Sequence, residues 1–434
     1  MSEADSARPC ATDFLIASKQ CEIDGLAHFL RMGQLVAAIS NLVHALQRER
    51  GASNVFLGSD GERFAHQLQA LSADADGAMQ GFFSALKQVG TRTSGVQGGA
   101  RLFSRIAHAV HVLGDLSAMR ARVRALKLAP EQAVHQYSEL VRALLAVVFE
   151  AADSAMDPTI SAMLVAMFNL MQGKETAGQE RAVGAAGFAR GEFDIEQARR
   201  MQHLIEAQER CFEIFTGFAD PDSVALWQAL LAGTDQAEVE RFRRMACTGL
   251  LPSSLTAEQA DRWFQVTTER IDAMKRVEDH LEQRLQSLCE EKLHEARERL
   301  ARHQSLIEQL LDADDGQGES FMVFCATGSS ADGQGETPER YDTEGVSPQL
   351  GRAIIEMVQT QGQRLQRMQD ELNAAREALE ERKVLERAKA LLMKHRKLQE
   401  DEAHRLLRQM AMNQGKRLIE VARAVVAMAD VLGN

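Results

Sequence analysis

The chain has 434 residues, of which 45% are hydrophobic and only 5% aromatic, with seven Pro and a net charge of −12. The length fits two to four domains at roughly 150 residues each. Few aromatics and few Pro-marked turns exclude sandwiches and barrels, and the dominance of Ala, Leu, Arg, Glu, Gln and Met predicts an all-α protein. No uninterrupted apolar run reaches the ~20 residues that span a bilayer. The first thirty residues show no basic-then-apolar signal sequence. Six scattered Cys without a Cys-x-x-Cys pair argue against a disulfide framework or zinc site, so a cytoplasmic protein without membrane contact is expected.

Residues 1–28 read as a weakly ordered leader, and periodic helical sequence fills 29–311. Breaks are expected near Ser59–Gly61, Arg92–Gly99, Ala129–Pro130, Asp157–Pro158, Gly173–Gly178, Asp220–Pro221, Gly233–Thr234 and Leu251–Pro252, giving about eight helices and two four-helix bundles. Asp157 and Asp220, each followed by Pro, are natural N-caps. Residues 312–349 are rich in Gly, Ser, Thr and acids, around one apolar island at Phe321–Cys325, and read as a linker with room for a little local order. In 350–379, Ile354, Val358, Gln361, Leu365, Met368, Leu372, Ala375 and Leu379 follow heptad spacing. That seam serves either a homodimer stalk, the favoured use, or a helix packed on its own body. Residues 380–434 carry a net charge of +4 on a body of −16, the asymmetry of a tail that meets a polyanion. A solvated basic face gives the same count.

Two segments of the large domain resemble each other. Glu49-Arg50-Gly51-Ala52 precedes Gly61-Glu62-Arg63-Phe64, and Glu180-Arg181-Ala182-Val183 precedes Gly191-Glu192-Phe193. Arg50 falls on the stripe Ile39, Val43, Leu46, Ser53, Leu57, and Arg270 on the stripe Trp263, Thr267, Met274, Val277, Leu281. Arg181 falls on a third, Gly178, Ala185, Phe188. A guanidinium stays charged, and burying it costs several kcal/mol unless it is paired. The heads therefore snorkel to water, pair with a carboxylate of another helix, or converge on a small oxyanion whose plane suits their forked donors.

The run from Leu379-Glu380-Glu381-Arg382-Lys383 through Glu386-Arg387-Ala388-Lys389 and Leu392-Met393, with Asp401-Glu402-Ala403-His404-Arg405-Leu406-Leu407-Arg408 and Lys416-Arg417-Leu418, resembles the ANTAR domain, a three-helix RNA-binding module of bacterial antiterminators. Leu42–Ser53, Gln179–Ala182 with Ala189–Phe193, and Trp263–Asp272 resemble the three motifs of the NIT domain, which senses nitrate and nitrite. The resemblance implies nitrate or nitrite held by Arg50 and Arg270, less securely by Arg181, as regulatory ligand with no other cofactor. It also implies a leader mRNA with paired hairpins, whose terminator is kept from forming upstream of nitrate-assimilation genes, so that the transcription machinery is affected only indirectly. Unstacked loop bases are readable where an A-form groove is not. Lys389, Lys394, Arg408, Lys416 and Arg417 supply phosphate contacts and Gln414 a base-edge contact. The alternative is the same RNA-binding regulator sensing another small anion or a partner protein. No Walker A loop, GxGxxG, HExxH or GxSxG occurs, and His108 with His111 has no partner at ligand spacing, so neither an enzyme nor a metal site is expected.

Overall fold

The computed structural model describes residues 11–89, 99–233, 236–248, 257–312, 321–325, 339–343, 348–398 and 400–432. Among them are thirteen helices and one two-stranded ribbon. The helices are α1 (Ala11–Gly58), α2 (Ala65–Val89), α3 (Gly99–Leu113), α4 (Leu116–Arg124), α5 (Pro130–Ser154), α6 (Pro158–Arg190), α7 (Ile195–Phe218), α8 (Pro221–Gly233), α9 (Gln236–Thr248), α10 (Ala257–Asp312), α11 (Pro348–Arg396), α12 (Glu400–Gln414) and α13 (Leu418–Leu432).

Local chemistry sets several ends. Asp157 accepts from the amides of Thr159 and Ile160 at 3.0 Å, with Pro158 opening α6 where its missing N–H costs nothing. Asp194 and Gln197 form a reciprocal box at the start of α7. Gly61 (φ 86°) and Gly191 (φ 76°), at equivalent places in the internal repeat, take the left-handed conformation just past α1 and α6.

Two expectations need correction. Gly173–Gly178 is no break: α6 runs through it for 33 residues. Both glycines are there for space, since a Cβ on Gly173 would strike the Phe212 ring and one on Gly178 the Arg50 guanidinium. The expected leader is already helical from Ala11, with Leu15, Ile23 and Leu26 buried. Inside the expected linker, β1 (Phe321–Cys325) pairs antiparallel with β2 (Glu339–Thr343), in register Phe321↔Thr343 to Cys325↔Glu339. The expected breaks at Arg92–Gly99 and Leu251–Pro252 fall almost wholly outside the described residues.

The chain forms two compact units. One comprises residues 1–30 and 288–370. Here Glu22 of α1 receives Arg299 of α10 at 3.2 Å and Arg364 of α11 at 2.7 Å. Lys19 donates to Gln361, so the polar position of the heptad seam is bonded within its own chain while Val358 and Leu365 stay half exposed.

The other unit comprises residues 31–287 and 371–434. Its centre is the meeting of α1, α6 and α10. The stretch of α1 over Asp13–Gly58 is long and apolar enough to meet a membrane-span criterion. Its Leu35, Val36, Ile39, Leu42, Val43 and Leu46 are buried in protein instead. Around Trp263 of α10 pack Phe188, Met201, Val239, Phe242 and Val266. The C-terminal helices close on Ala388, Leu407, Ala411, Val421 and Ala422.

Candidate anion site

All three arginines read as out of place are buried: Arg50 is 1%, Arg181 4% and Arg270 5% exposed. None snorkels, so each head needs a partner inside the protein. Arg50 of α1 reaches across to α5 and α6. Its Nη1 donates to Ser138 Oγ at 2.8 Å and to Glu175 Oε1 at 2.5 Å, while Nη2 has no hydrogen-bond partner among the described residues. Arg181 of α6 reaches the other way. Its Nη1 donates to Thr268 Oγ1 of α10 at 2.9 Å and its Nη2 to the Gln47 carbonyl of α1 at 3.3 Å, with the head 4.8 Å from the Phe264 ring centre. Arg181 forms no ion pair with a described carboxylate. Burial, then repulsion from Arg50, pushes its pKa down to about 10, so it stays charged at neutral pH.

The two helices exchange arginines over glycines. A Cβ on Gly178 would fall under 3.0 Å from Arg50 Nη2, and one on Gly51 would lie 2.7 Å from Arg181 Nη2. The Glu before each arginine points elsewhere, as adjacent helical positions must. Glu49 takes Arg120 of α4 in a fork of 2.6 and 2.8 Å, and Glu180 takes Arg243 of α9 in a fork of 2.7 and 2.9 Å. Each second arginine has an outer acid: Asp76 at 2.6 Å from Arg120, Glu240 at 2.8 Å from Arg243. Although burial opposes it, these carboxylates hold Arg120 and Arg243 above the ordinary arginine range. The sequence repeat is therefore a structural repeat, Ser138 answering to Thr268 and Arg120 to Arg243.

Buried charge does not balance at the crossing. Two buried guanidiniums share one buried carboxylate, Glu175, whose oxygens also accept from Gln47 and Gln179 at 2.9 Å each, while the other acid that acts on Arg181, Asp272, is half exposed. His44 adds no charge, because burial and then Lys174 and Lys275 push its pKa down to about 2. Lys174 is matched separately by Glu278 at 2.6 Å, both wholly buried.

Arg270 stands in the second half of the repeat. Its Nη1 donates to Gln208 Oε1 at 3.0 Å and lies 4.0 Å from Glu180 Oε2, while Nε has no partner among the described residues. Burial, then Arg243, lowers its pKa to about 10. The structure thus joins Arg50 to Arg181 and places Arg270 in the adjoining Glu180–Gln208–Arg243 network.

Of the expected RNA contacts, Lys394 is exposed in the last turn of α11 and Gln414 is exposed at the end of α12. Lys416 and Arg417 are exposed after Gly415 (φ 61°). Lys389 is buried and pairs with Glu386 at 2.7 Å. Arg408 is ion-paired to Glu206 of α7. Further contacts hold the C-terminal helices to the bundle. Lys383 meets Asp153 at 2.7 Å, Arg382 covers the Phe168 ring at 4.8 Å, and His404 meets His203 edge-on with ring centres 4.9 Å apart.

Residues 41–286 match the family model described as nitrate and nitrite sensing (NIT), and residues 373–426 match the ANTAR domain. The chain belongs to the NIT–ANTAR family. It is 34% identical over 420 residues to the nitrate regulatory protein of Klebsiella oxytoca, covering 97% of this chain and 96% of that one. It resembles the solved NasR transcription antiterminator with a TM-score of 0.59 at 33% identity, over 98% of this chain and 100% of that chain. The NIT match takes in Arg50, Arg181 and Arg270, and the ANTAR match takes in all six expected RNA contacts.

Sequence reading missed Glu175, Gln47 and Ser138 at the site, and the four residues of the Glu49–Arg120 and Glu180–Arg243 forks as pairs. A signal existed for Glu175. The segment Gly173-Lys174-Glu175-Thr176 places two charges among Met, Ala and Gly. Reading a break there concealed that both lie on a helix facing inward.

Proposed function

We propose that this NIT–ANTAR protein is a nitrate- or nitrite-responsive transcription antiterminator. One observation supports the sensing half above others: two buried guanidiniums share one buried carboxylate. A buried surplus cation is costly, and a monovalent anion at the α1–α6 crossing removes it. A flat oxyanion presents oxygens to both forks, to Arg50 Nη2 above all. Arg50 and Arg181 hold the anion in this reading, and Arg270 responds beside them through Glu180.

The ANTAR helices bind a leader RNA with paired hairpins through Lys394, Gln414, Lys416 and Arg417, with Lys389 and Arg408 joining once released from their carboxylates. Binding keeps a terminator from forming upstream of nitrate-assimilation genes. The protein works in the cytoplasm as a homodimer, without a catalytic step or a further cofactor. The anion must bind the RNA-competent arrangement more tightly than the docked one, or no population would shift.

Calorimetry of the full chain with nitrate, nitrite and chloride tests the sensing half. Heat with the first two and none with chloride is expected, lost in Arg50→Lys and Arg181→Lys, which keep the charge but not the fork. Equal behaviour of all three ions rejects the reading. Gel shifts on a two-hairpin RNA, with and without nitrate, test the output.

A further inference from the structure

Arg50 is buried, so an anion needs a way in. Buried neighbours close most of the route: Gly178 lies against the head and Glu175 beneath it. Two bonded partners open it. Ser138, which accepts from Arg50, and Gln179, which donates to Glu175, both line a cleft of about 1040 Å³. Asn54 and Thr176 stand in the same wall. The cleft runs between α5, α6 and α7 on one side and the ANTAR helices α11 to α13 on the other, where Arg382, Lys389, His404 and Arg417 line it.

Its charge is opposite to that of the chain. Seven Lys or Arg line it against five Glu, in a protein of net −12. Arg142 and Arg200 are exposed at its sides and Arg210 is half-buried. Three of the five Glu are paired to Arg142, Lys389 and Arg417, and the cleft keeps a positive excess; a concave surface with such an excess between low-dielectric walls concentrates the opposite ion and accelerates its arrival. For most of this protein's acidic surface the effect on an anion is repulsive.

We propose that this cleft is the anion's entrance to the Arg50–Arg181 site, that its arginines steer nitrate inward, and that the docked ANTAR domain is one wall of the passage. The inference rests on the sensing reading above and adds the route. Docking then acts on the ligand's access as well as its affinity: moving the RNA-binding helices rebuilds the doorway.

The other outward-facing partner of the cluster is Thr268, half-buried on α10, and it defines the rival route. Stopped-flow mixing of the full chain with nitrate, read by fluorescence of Trp263, whose indole N–H donates to the Arg181 carbonyl at 3.0 Å, gives the association rate. Arg142→Glu and Arg200→Glu are exposed charge reversals that touch neither arginine of the site. Each is expected to slow association at least about threefold and to flatten its salt dependence. Gln265→Glu, three residues before Thr268 and exposed, is expected to change nothing. Unchanged rates in the two cleft variants, or slowing in Gln265→Glu alone, overturn the proposal while leaving the sensor intact. Absence of any nitrate heat in the wild-type chain removes the sensing reading and this inference with it.

Discussion

Gly178→Ala separates the anion site from the fold that carries it. The new methyl lies under 3.0 Å from Arg50 Nη2, an approach real Cβ atoms do not make, so the guanidinium must shift. It is the far end of a long side chain, and Ser138 and Glu175 can follow part of the way, so the overpacking cost stays near the lower end of about 1–3 kcal/mol. Against it, Ala gains about 1 kcal/mol over Gly inside a helix. The two nearly cancel, and urea unfolding should move by less than about 1 kcal/mol. The anion loses more. Displacing the fork removes one charge-assisted hydrogen bond, about 1.5–3 kcal/mol, or roughly 10- to 150-fold in nitrate affinity. Gly77→Ala is the control, because a Cβ there meets nothing within 4 Å in α2; it should stabilise by up to about 1 kcal/mol and leave nitrate binding alone. Calorimetry beside denaturant melts reads both quantities. Wild-type nitrate affinity in Gly178→Ala would show that Arg50 Nη2 does not meet the ligand.

Three further outcomes follow from named contacts. Asp153→Asn with Glu206→Gln removes the acids that hold Lys383 and Arg408; such partly exposed pairs contribute about 0–1 kcal/mol each, so RNA binding without nitrate should rise several-fold in a gel shift. Glu180→Gln and Glu49→Gln should each cost about 3 kcal/mol in urea unfolding, since each leaves a forked, buried arginine with its outer acid, Glu240 or Asp76, as sole ion-pair partner. A twofold or greater difference between their costs would argue against the structural repeat. His404 is buried, and burial, then Arg210, pushes its pKa down to about 3. Folded protein then binds fewer protons than unfolded between about pH 6.5 and 3, so stability is lost as pH falls through that window. By pH 5 the loss is about 2 kcal/mol, and His404→Gln should remove that part of the slope.

Much of this was readable in advance because helical burial has a period. Arg50, Arg181 and Arg270 betrayed themselves by occupying apolar stripes, and the stripes are buried. Glycine misled where it was read by propensity alone: at Gly173 and Gly178 the missing Cβ makes room for Phe212 and Arg50, a tertiary reason no local rule contains. The partners were harder still. Arg120 lies 71 residues from Glu49 and Arg243 lies 63 from Glu180, and nothing in either segment marks the other. The heptad of α11 was visible, but not that Gln361 answers to Lys19, 342 residues away.

The strength of the docking contacts bears on whether one anion can work such a switch. A ligand at one hundred times its dissociation constant adds about 2.7 kcal/mol to the state it prefers. A latch much stronger than that would never open on nitrate alone. The contacts observed are of suitable strength. The Arg408 side chain is 53% exposed and that of Lys383 22%, so their ion pairs are partly screened and each contributes about 1 kcal/mol or less. The Arg382–Phe168 contact adds about as much again. The deep pairs, Glu49–Arg120, Glu180–Arg243 and Lys174–Glu278, lie inside the bundle rather than at this interface. Strong buried pairs hold each half of the sensor together while weak outer pairs hold the RNA-binding helices. Under the proposed sensing, that ordering would let a single small ion on the seam between the halves release the tail without loosening the fold.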